Sequence, residues 1–352
     1  MSVSPISTAP LAAASSQDRR WYIIGLLSLG MIIAYVDRSN ISVALASSGF
    51  KKIFQLTDAD RGTLNSAFFW SYAFLQIPAG WIVDRYGVKW PYAISFLIWS
   101  LVSAATSLAT SISMLFVLRF LLGVGESVVT PASMRWIRFH FSEKERGFAV
   151  GLYMTGTKIG PAIGAPIAAW LITAYNWQLM FAILGLGCLL WLIPWLTMVK
   201  NDDREIEKQM DIAAGSRPAV PFSRLLASPV IWGTIIGTFC YMYFVYFCMT
   251  WMPAYFVERR SLSLNSMGLY TFFSFGGMAT VAALAGWAAD RQISRGGNPV
   301  RVRKMYTIAG FLMASTEVIG ALSDSMPVAL FFAVFSLSGL GLATANYWAL
   351  TQ

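Results

Sequence analysis

Charge is what this 352-residue sequence has least of: Asp, Glu, Lys and Arg make up 12% of it, against 57% apolar side chains. A soluble domain carries about 25% charged residues, so an ordinary soluble fold is excluded. Disorder is excluded for the opposite reason, because apolar surface is abundant. There is one histidine, His140, in an amphipathic stretch, and three cysteines (Cys188, Cys240, Cys248) inside apolar runs. The cysteines have neither metal-ligand spacing nor a disulfide pattern. A lone histidine builds neither a zinc-type constellation nor a Ser/His arrangement, so the chain reads as no enzyme and needs no metal or cofactor. The first twenty residues are Ser/Ala-rich and lack a basic start followed by a short apolar core. They read as a cytosolic tail rather than a cleaved signal.

What the chain has instead is long apolar sequence. A bilayer-spanning helix needs about 20 mainly apolar residues. Ten stretches qualify, near 21–45, 63–83, 91–108, 112–134, 148–174, 179–199, 230–256, 267–289, 305–322 and 328–350. They are too continuous for barrel strands, which alternate over about ten residues. The 28 Gly and 14 Trp also suit membrane helices. The fold class is therefore all-α and polytopic, with the lipid bilayer as solvent.

Lys and Arg set the orientation, since they accumulate in cytoplasmic loops. With the N-terminus inside, 18 cations fall in inside connections and 5 in outside ones. This predicts a multi-pass protein of the inner (plasma) membrane with a cytoplasmic N-terminus. It also accounts for the net charge of +9 without a nucleic-acid partner.

A charged connection from Lys200 to about Ser228 divides the spans, predicting a bundle over 21–199, a linker over 200–229 and a second bundle over 230–352. After the second span of each bundle the same string recurs. Gly80-Trp81-Ile82-Val83-Asp84-Arg85 is repeated as Gly286-Trp287-Ala288-Ala289-Asp290-Arg291, at an offset of 206. Parallel repeats of this kind are a transporter architecture, with the substrate site at the repeat interface. The glycines are expected to let helices approach closely. The acids are expected to pair with cations on a neighbouring helix end, Arg135 or Arg138 for Asp84, as a conformational latch.

Gly80 to Lys89 matches the loop motif of the major facilitator superfamily. Three further strings narrow the resemblance: Tyr35-Val36-Asp37-Arg38-Ser39-Asn40-Ile41-Ser42-Val43-Ala44, Arg119-Phe120-Leu121-Leu122-Gly123-Val124-Gly125-Glu126, and Thr250-Trp251-Met252-Pro253-Ala254-Tyr255. From about residue 20 onward the chain resembles the anion:cation symporter family, which includes sugar-acid and phthalate-type permeases and vesicular glutamate and sialic-acid carriers. The resemblance implies two parallel six-helix repeats. Ten spans then make six plus four, with the last two helices missing from these 352 residues.

Ionisable residues at mid-span cost about 2.5–3.5 kcal/mol on insertion scales. Six occur: Asp37, Arg38, Arg119, Glu126, Lys158 and Glu317. Arg119 and Glu126 are seven apart and line one helix face at depths about 10 Å apart. Three cations and two acids in the first half give a cluster that binds an organic anion better once its acids are protonated. Internal ion pairing for packing alone is the plainer alternative. The resemblance implies that Asp37 and Glu126 carry protons, that Arg38 contacts a substrate carboxylate, and that Arg119 links the two. Tyr35, Tyr72 and Gln76 add polar tips, with Tyr72 and Gln76 on one face at i, i+4. Asn346 and Trp348 are candidates to close the site from the second half. Of Tyr241, Tyr243 and Tyr246, one is expected to face the cavity.

The fifth span reads Gly156-Thr157-Lys158-Ile159-Gly160-Pro161-Ala162-Ile163-Gly164. Its Gly spacing is similar to that of drug/proton antiporters, and close packing with a Pro kink is the alternative. Lys158 reads as a second anion-binding cation for a dianionic or aromatic carboxylate. Taken together, the sequence predicts a monomeric, proton-coupled symporter of a small organic anion such as a sugar acid or aromatic carboxylate. An exchanger or exporter on the same fold, or an anion sensor that does not transport, are the alternatives.

Overall fold

Long runs of Leu, Ile, Phe, Trp and Ala favour helix, and in lipid a helix also satisfies its own backbone and tolerates interior prolines such as Pro78, Pro161 and Pro166. The computed structural model describes residues 14–202, 204–208 and 227–350, with side chains from 19 onward apart from 143 and 144. The helices are α1 (Ala14–Ala46), α2 (Ser48–Phe54), α3 (Asp58–Tyr86), α4 (Lys89–Ala105), α5 (Ile112–Glu126), α6 (Val129–His140) and α7 (Glu143–Ala174). They continue as α8 (Trp177–Cys188), α9 (Leu192–Met198), α10 (Pro229–Ala254), α11 (Leu264–Ser294), α12 (Pro299–Ser315), α13 (Glu317–Leu322) and α14 (Met326–Leu350). Apart from the short α2, in pairs or singly these make ten rods that coincide with the ten predicted stretches.

Eight of the rods are long and apolar enough to cross a membrane. The other two, α3 and α7, are 29 and 32 residues long, but polar side chains and Lys158 dilute them. Within the expected tail over residues 1–20, the described residues are helical from Ala14 onward. Most of the predicted 200–229 linker lies outside the described residues. Large apolar side chains such as Ile77, Phe74 and Leu190 point outward at 83%, 68% and 70% exposure. So much exposed apolar surface suits lipid rather than water.

Close helix approach depends on glycine, although not on the one the motif suggested. At Gly156 a Cβ would sit 2.9 Å from the Met31 Cβ, and at Gly164 it would sit 3.0 Å from the Ser39 hydroxyl. At Gly160 it would overlap the Tyr35 side chain and stand 2.8 Å from the Ile32 carbonyl oxygen. These three residues press α7 along α1, which favours close packing as the reason for the fifth span's Gly spacing. Gly80, by contrast, has nothing within 4 Å of a built Cβ, and Gly286 meets only the Ala345 methyl at 3.3 Å. The close-approach role expected of Gly80 is therefore not found. The glycine its loop does require is Gly87, at φ 83°, whose amide donates to the Val83 carbonyl as the α3 cap.

The linker-side ends of the helices and the opposite ends are joined differently. The first six rods meet the last four through Tyr35 and Arg38 with Tyr246, Thr173 with Asn265, and Lys51 and Arg61 with Glu258. Whereas Lys158 over the Tyr241 ring joins the halves five residues nearer the linker, these contacts lie at the depth of Tyr246 or beyond it, away from the linker. Gly268 of α11 also abuts the Pro166 backbone of α7 there, with a built Cβ only 2.8 Å from the Pro166 Cα. The structure is closed at the end opposite the linker.

Candidate functional site

Successive residues on a helix point about 100° apart, so Asp37 and Arg38 leave α1 in different directions. Both are buried, as are Arg119 and Glu126 on α5. Asp37 faces α4, where the Ser103 hydroxyl donates to its Oδ1 at 2.7 Å and the Asn40 amide at 3.3 Å. Its Oδ2 has no hydrogen-bond partner among the described residues. Arg38 faces α5, and its Nε donates to Glu126 Oε2 at 2.6 Å. The other oxygen, Glu126 Oε1, has no hydrogen-bond partner among the described residues. Glu126 is the last residue of α5, and the chain turns through Ser127 and Val128 before α6 begins. The pair therefore sits at a break in the fourth rod.

Aromatic rings complete the surroundings of Arg38. Its guanidinium carbon lies 4.5 Å from the Tyr35 ring, 4.4 Å from Tyr72 and 5.1 Å from Phe68. Such cation–π contacts hold a desolvated guanidinium without neutralising it. The Arg119 guanidinium stands 5.1 Å from the same Phe68 ring. Arg119 makes no ion pair among the described residues, and its Nε is unpartnered. Tyr72 also exchanges a hydrogen bond with Thr130 at 3.3 Å. Gln76, one turn further along α3, is half-buried and makes no hydrogen bond to the other site residues.

The second half reaches this cluster through α10. The Tyr246 hydroxyl accepts from Arg38 Nη1 at 3.2 Å and shares a hydrogen bond with Tyr35 at 3.1 Å. Of the three α10 tyrosines it is the one that faces the site, while Tyr243 is 63% exposed. Tyr241 bonds Thr344 of α14 at 2.9 Å. Lys158 has its Nζ 5.9 Å from the Tyr241 ring centre and donates to its neighbour Thr157 at 2.6 Å.

Asn346 and Trp348 lie further along α14 and do not meet Arg38. Asn346 donates to the Leu342 carbonyl at 3.0 Å, with its Oδ1 unpartnered. Trp348 packs edge-on to Tyr241, ring centres 6.2 Å apart. Glu317 accepts from the Ser336 hydroxyl, a packing hydrogen bond. His140 stacks on Trp136 and contacts Asp202 at 3.4 Å, clear of the site.

At the linker end, Arg135 bonds Asp84 at 2.6 Å and Glu207 at 2.7 Å. In the second half Asp290 pairs with Arg303 at 2.9 Å, a cation from the next helix, α12, rather than the fourth. Arg85 stacks over Trp81 at 5.5 Å, and Arg291 over Trp287 at 5.2 Å, so this detail repeats. Sequence reasoning missed the opposite closure. Arg61 is 4% exposed and bonds Glu258 at 2.5 Å, with Lys51 3.4 Å from the same carboxylate. All three residues lie at or just beyond span ends, where charge is common and gives no signal.

Comparison with known proteins places this arrangement in context. The profile of the Major Facilitator Superfamily matches residues 27–352. The chloroplastic ascorbate transporter of Arabidopsis thaliana is 29% identical over 84% of this chain, which covers 56% of that protein. The Escherichia coli D-galactonate transporter is 28% identical over 97% of this chain and 84% of its own length. A probable sulfoacetate transporter of Cupriavidus necator is 31% identical over 79% of this chain and 67% of its own. Among solved structures, an inward-facing bacterial homologue of the human lysosomal transporter Spinster superposes with a TM-score of 0.71 at 19% identity, covering 95% of this chain and 75% of that one. Sequence profile, relatives and fold agree, and the chain belongs to the Major Facilitator Superfamily.

Proposed function

We propose that this protein is a proton-coupled symporter of organic carboxylate anions, working as a monomer in the cytoplasmic membrane by alternating access. The observation that carries the proposal is the buried Arg38–Glu126 pair, 2.6 Å apart, with one carboxylate oxygen still unpartnered. An incoming carboxylate and the Glu126 carboxylate compete for the same guanidinium. A proton on Glu126 removes the internal competitor and leaves Arg38 to the substrate, with Tyr35, Tyr72 and Tyr246 around it. Proton and anion then raise each other's affinity, as linkage requires. Asp37 and Arg119 extend the charge balance of the site on either side. The names of relatives support the substrate class: D-galactonate, hexuronate, galactarate or D-glucarate, and sulfoacetate.

In this reading the linker end faces the cytoplasm, and the bundles 21–199 and 230–352 rock about the buried cluster. The Asp84–Arg135 pair holds the first bundle's cytoplasmic end until that motion breaks it. The test is uptake into proteoliposomes under a pH gradient. Asp37→Asn and Glu126→Gln should each lower proton-driven uptake by at least about tenfold, equivalent to about 1.4 kcal/mol. Counterflow exchange of preloaded anion should persist. Unchanged pH-driven uptake in both variants would sink the proposal.

A further inference from the structure

Lys158 is a charge of the buried cluster that the Arg38–Glu126 pair does not account for. It is 9% exposed, deep in the fifth rod, and no carboxylate lies within ion-pair distance among the described residues. Its Nζ has the Thr157 hydroxyl at 2.6 Å and the face of Tyr241 at 5.9 Å. Neither is an anion. A lone ammonium in a span costs about 2.5–3.5 kcal/mol on insertion scales, and these two contacts leave it without a counter-charge.

Two independent registers give its depth relative to Arg38. On α10, Tyr246 meets Arg38 and Tyr241 meets Lys158. Five residues of helix separate those tyrosines, about 7.5 Å along the axis. On α1, Gly156 of α7 abuts Met31 and Gly160 abuts Tyr35. Lys158 therefore lies level with the turn between them, again about five residues short of Arg38. Both registers place the second cation on the linker side of the first, along one wall of the interface.

We infer that Lys158 is the anchor for a second carboxylate, so that the substrate is a dianion spanning from Arg38 to Lys158. With C–C bonds of about 1.5 Å, a diacid of roughly five to six carbons covers that depth. An aldarate, a sugar acid oxidised at both ends, has this length and polarity. The inference rests on the proposed organic-anion site at Arg38 and specifies what that site takes.

Binding to the purified full chain in detergent, measured by calorimetry, separates the two ideas. Galactarate and D-galactonate share a six-carbon hydroxylated chain and differ in having two carboxylates or one. The unmodified protein should bind galactarate at least about tenfold more tightly, about 1.4 kcal/mol. Lys158→Ala and the longer, uncharged Lys158→Gln should bring galactarate down to the D-galactonate level and leave D-galactonate affinity unchanged, which also shows that they fold. Arg38→Ala should lose both anions. Equal loss of both anions in the Lys158 variants, or no loss of galactarate, overturns the inference alone. If the unmodified chain binds neither anion, the Arg38 reading fails and the inference fails with it.

Discussion

Tyr241, Tyr243 and Tyr246 share one residue type and one helix, yet occupy three different environments. Tyr246 joins the two halves by bonding Arg38 and Tyr35, whereas Tyr243 faces outward at 63% exposure. A hydrogen bond to a charged group contributes about 1.5–3 kcal/mol net, and an exposed hydroxyl contributes little. Tyr246→Phe keeps the ring packed on Phe69, 4.5 Å between centres, and removes only its two hydrogen bonds. It should lower the melting temperature in detergent by a few degrees, while Tyr243→Phe should leave it unchanged. Equal melting of the two variants would refute the assigned bridge. The charged residues were legible beforehand because an ion in a span is expensive and needs a reason. Which of these three tyrosines faces the site was not, because a phenol is tolerated on either side of a membrane helix.

Elements are positioned by where backbone can touch backbone. Gly160 lets α7 lie against Tyr35 and the Ile32 carbonyl, which holds Lys158 at its depth beside α1. Forcing a methyl into that seam costs about 1–3 kcal/mol by overpacking. Gly160→Ala should therefore destabilise the protein and weaken anion binding together, because Tyr35 must move. Gly80→Ala should do neither, since nothing lies within 4 Å of its Cβ. Thermal melting with and without added anion reads both effects, and a destabilised Gly80→Ala would contradict the open space there. Both glycine patterns were visible in the sequence. Spacing alone does not say which one faces a neighbour, because that depends on the rotation of each helix about its axis.

Across the whole molecule, the end opposite the linker is fastened by Arg61 and Lys51 from the first half and Glu258 from the second. Cys248 lines the same cleft, of ≈ 470 Å³, and is 2% exposed. If this carboxylate holds the halves together, Glu258→Gln should favour the form open at that end. The check is maleimide labelling of Cys248 in a Cys188→Ser/Cys240→Ser background. Labelling should accelerate several-fold in Glu258→Gln, and an unchanged rate would remove the pair's role in closure.

The sequence by itself determined that this is a multi-spanning helical protein, that its halves repeat, and which ionisable residues lie at depth. Those properties follow from local composition, since apolar length makes a membrane helix and each mid-span charge is visible within its own span. Tertiary structure decided the pairings: Glu126 with Arg38 rather than Arg119, Asp290 with Arg303, Glu258 with Arg61, and, among the described residues, no carboxylate with Lys158. Partners 13 to 197 residues apart in the chain are selected by helix rotation and depth, which depend on packing between rods. The same packing closes one end, because interface contacts form only where the two halves meet.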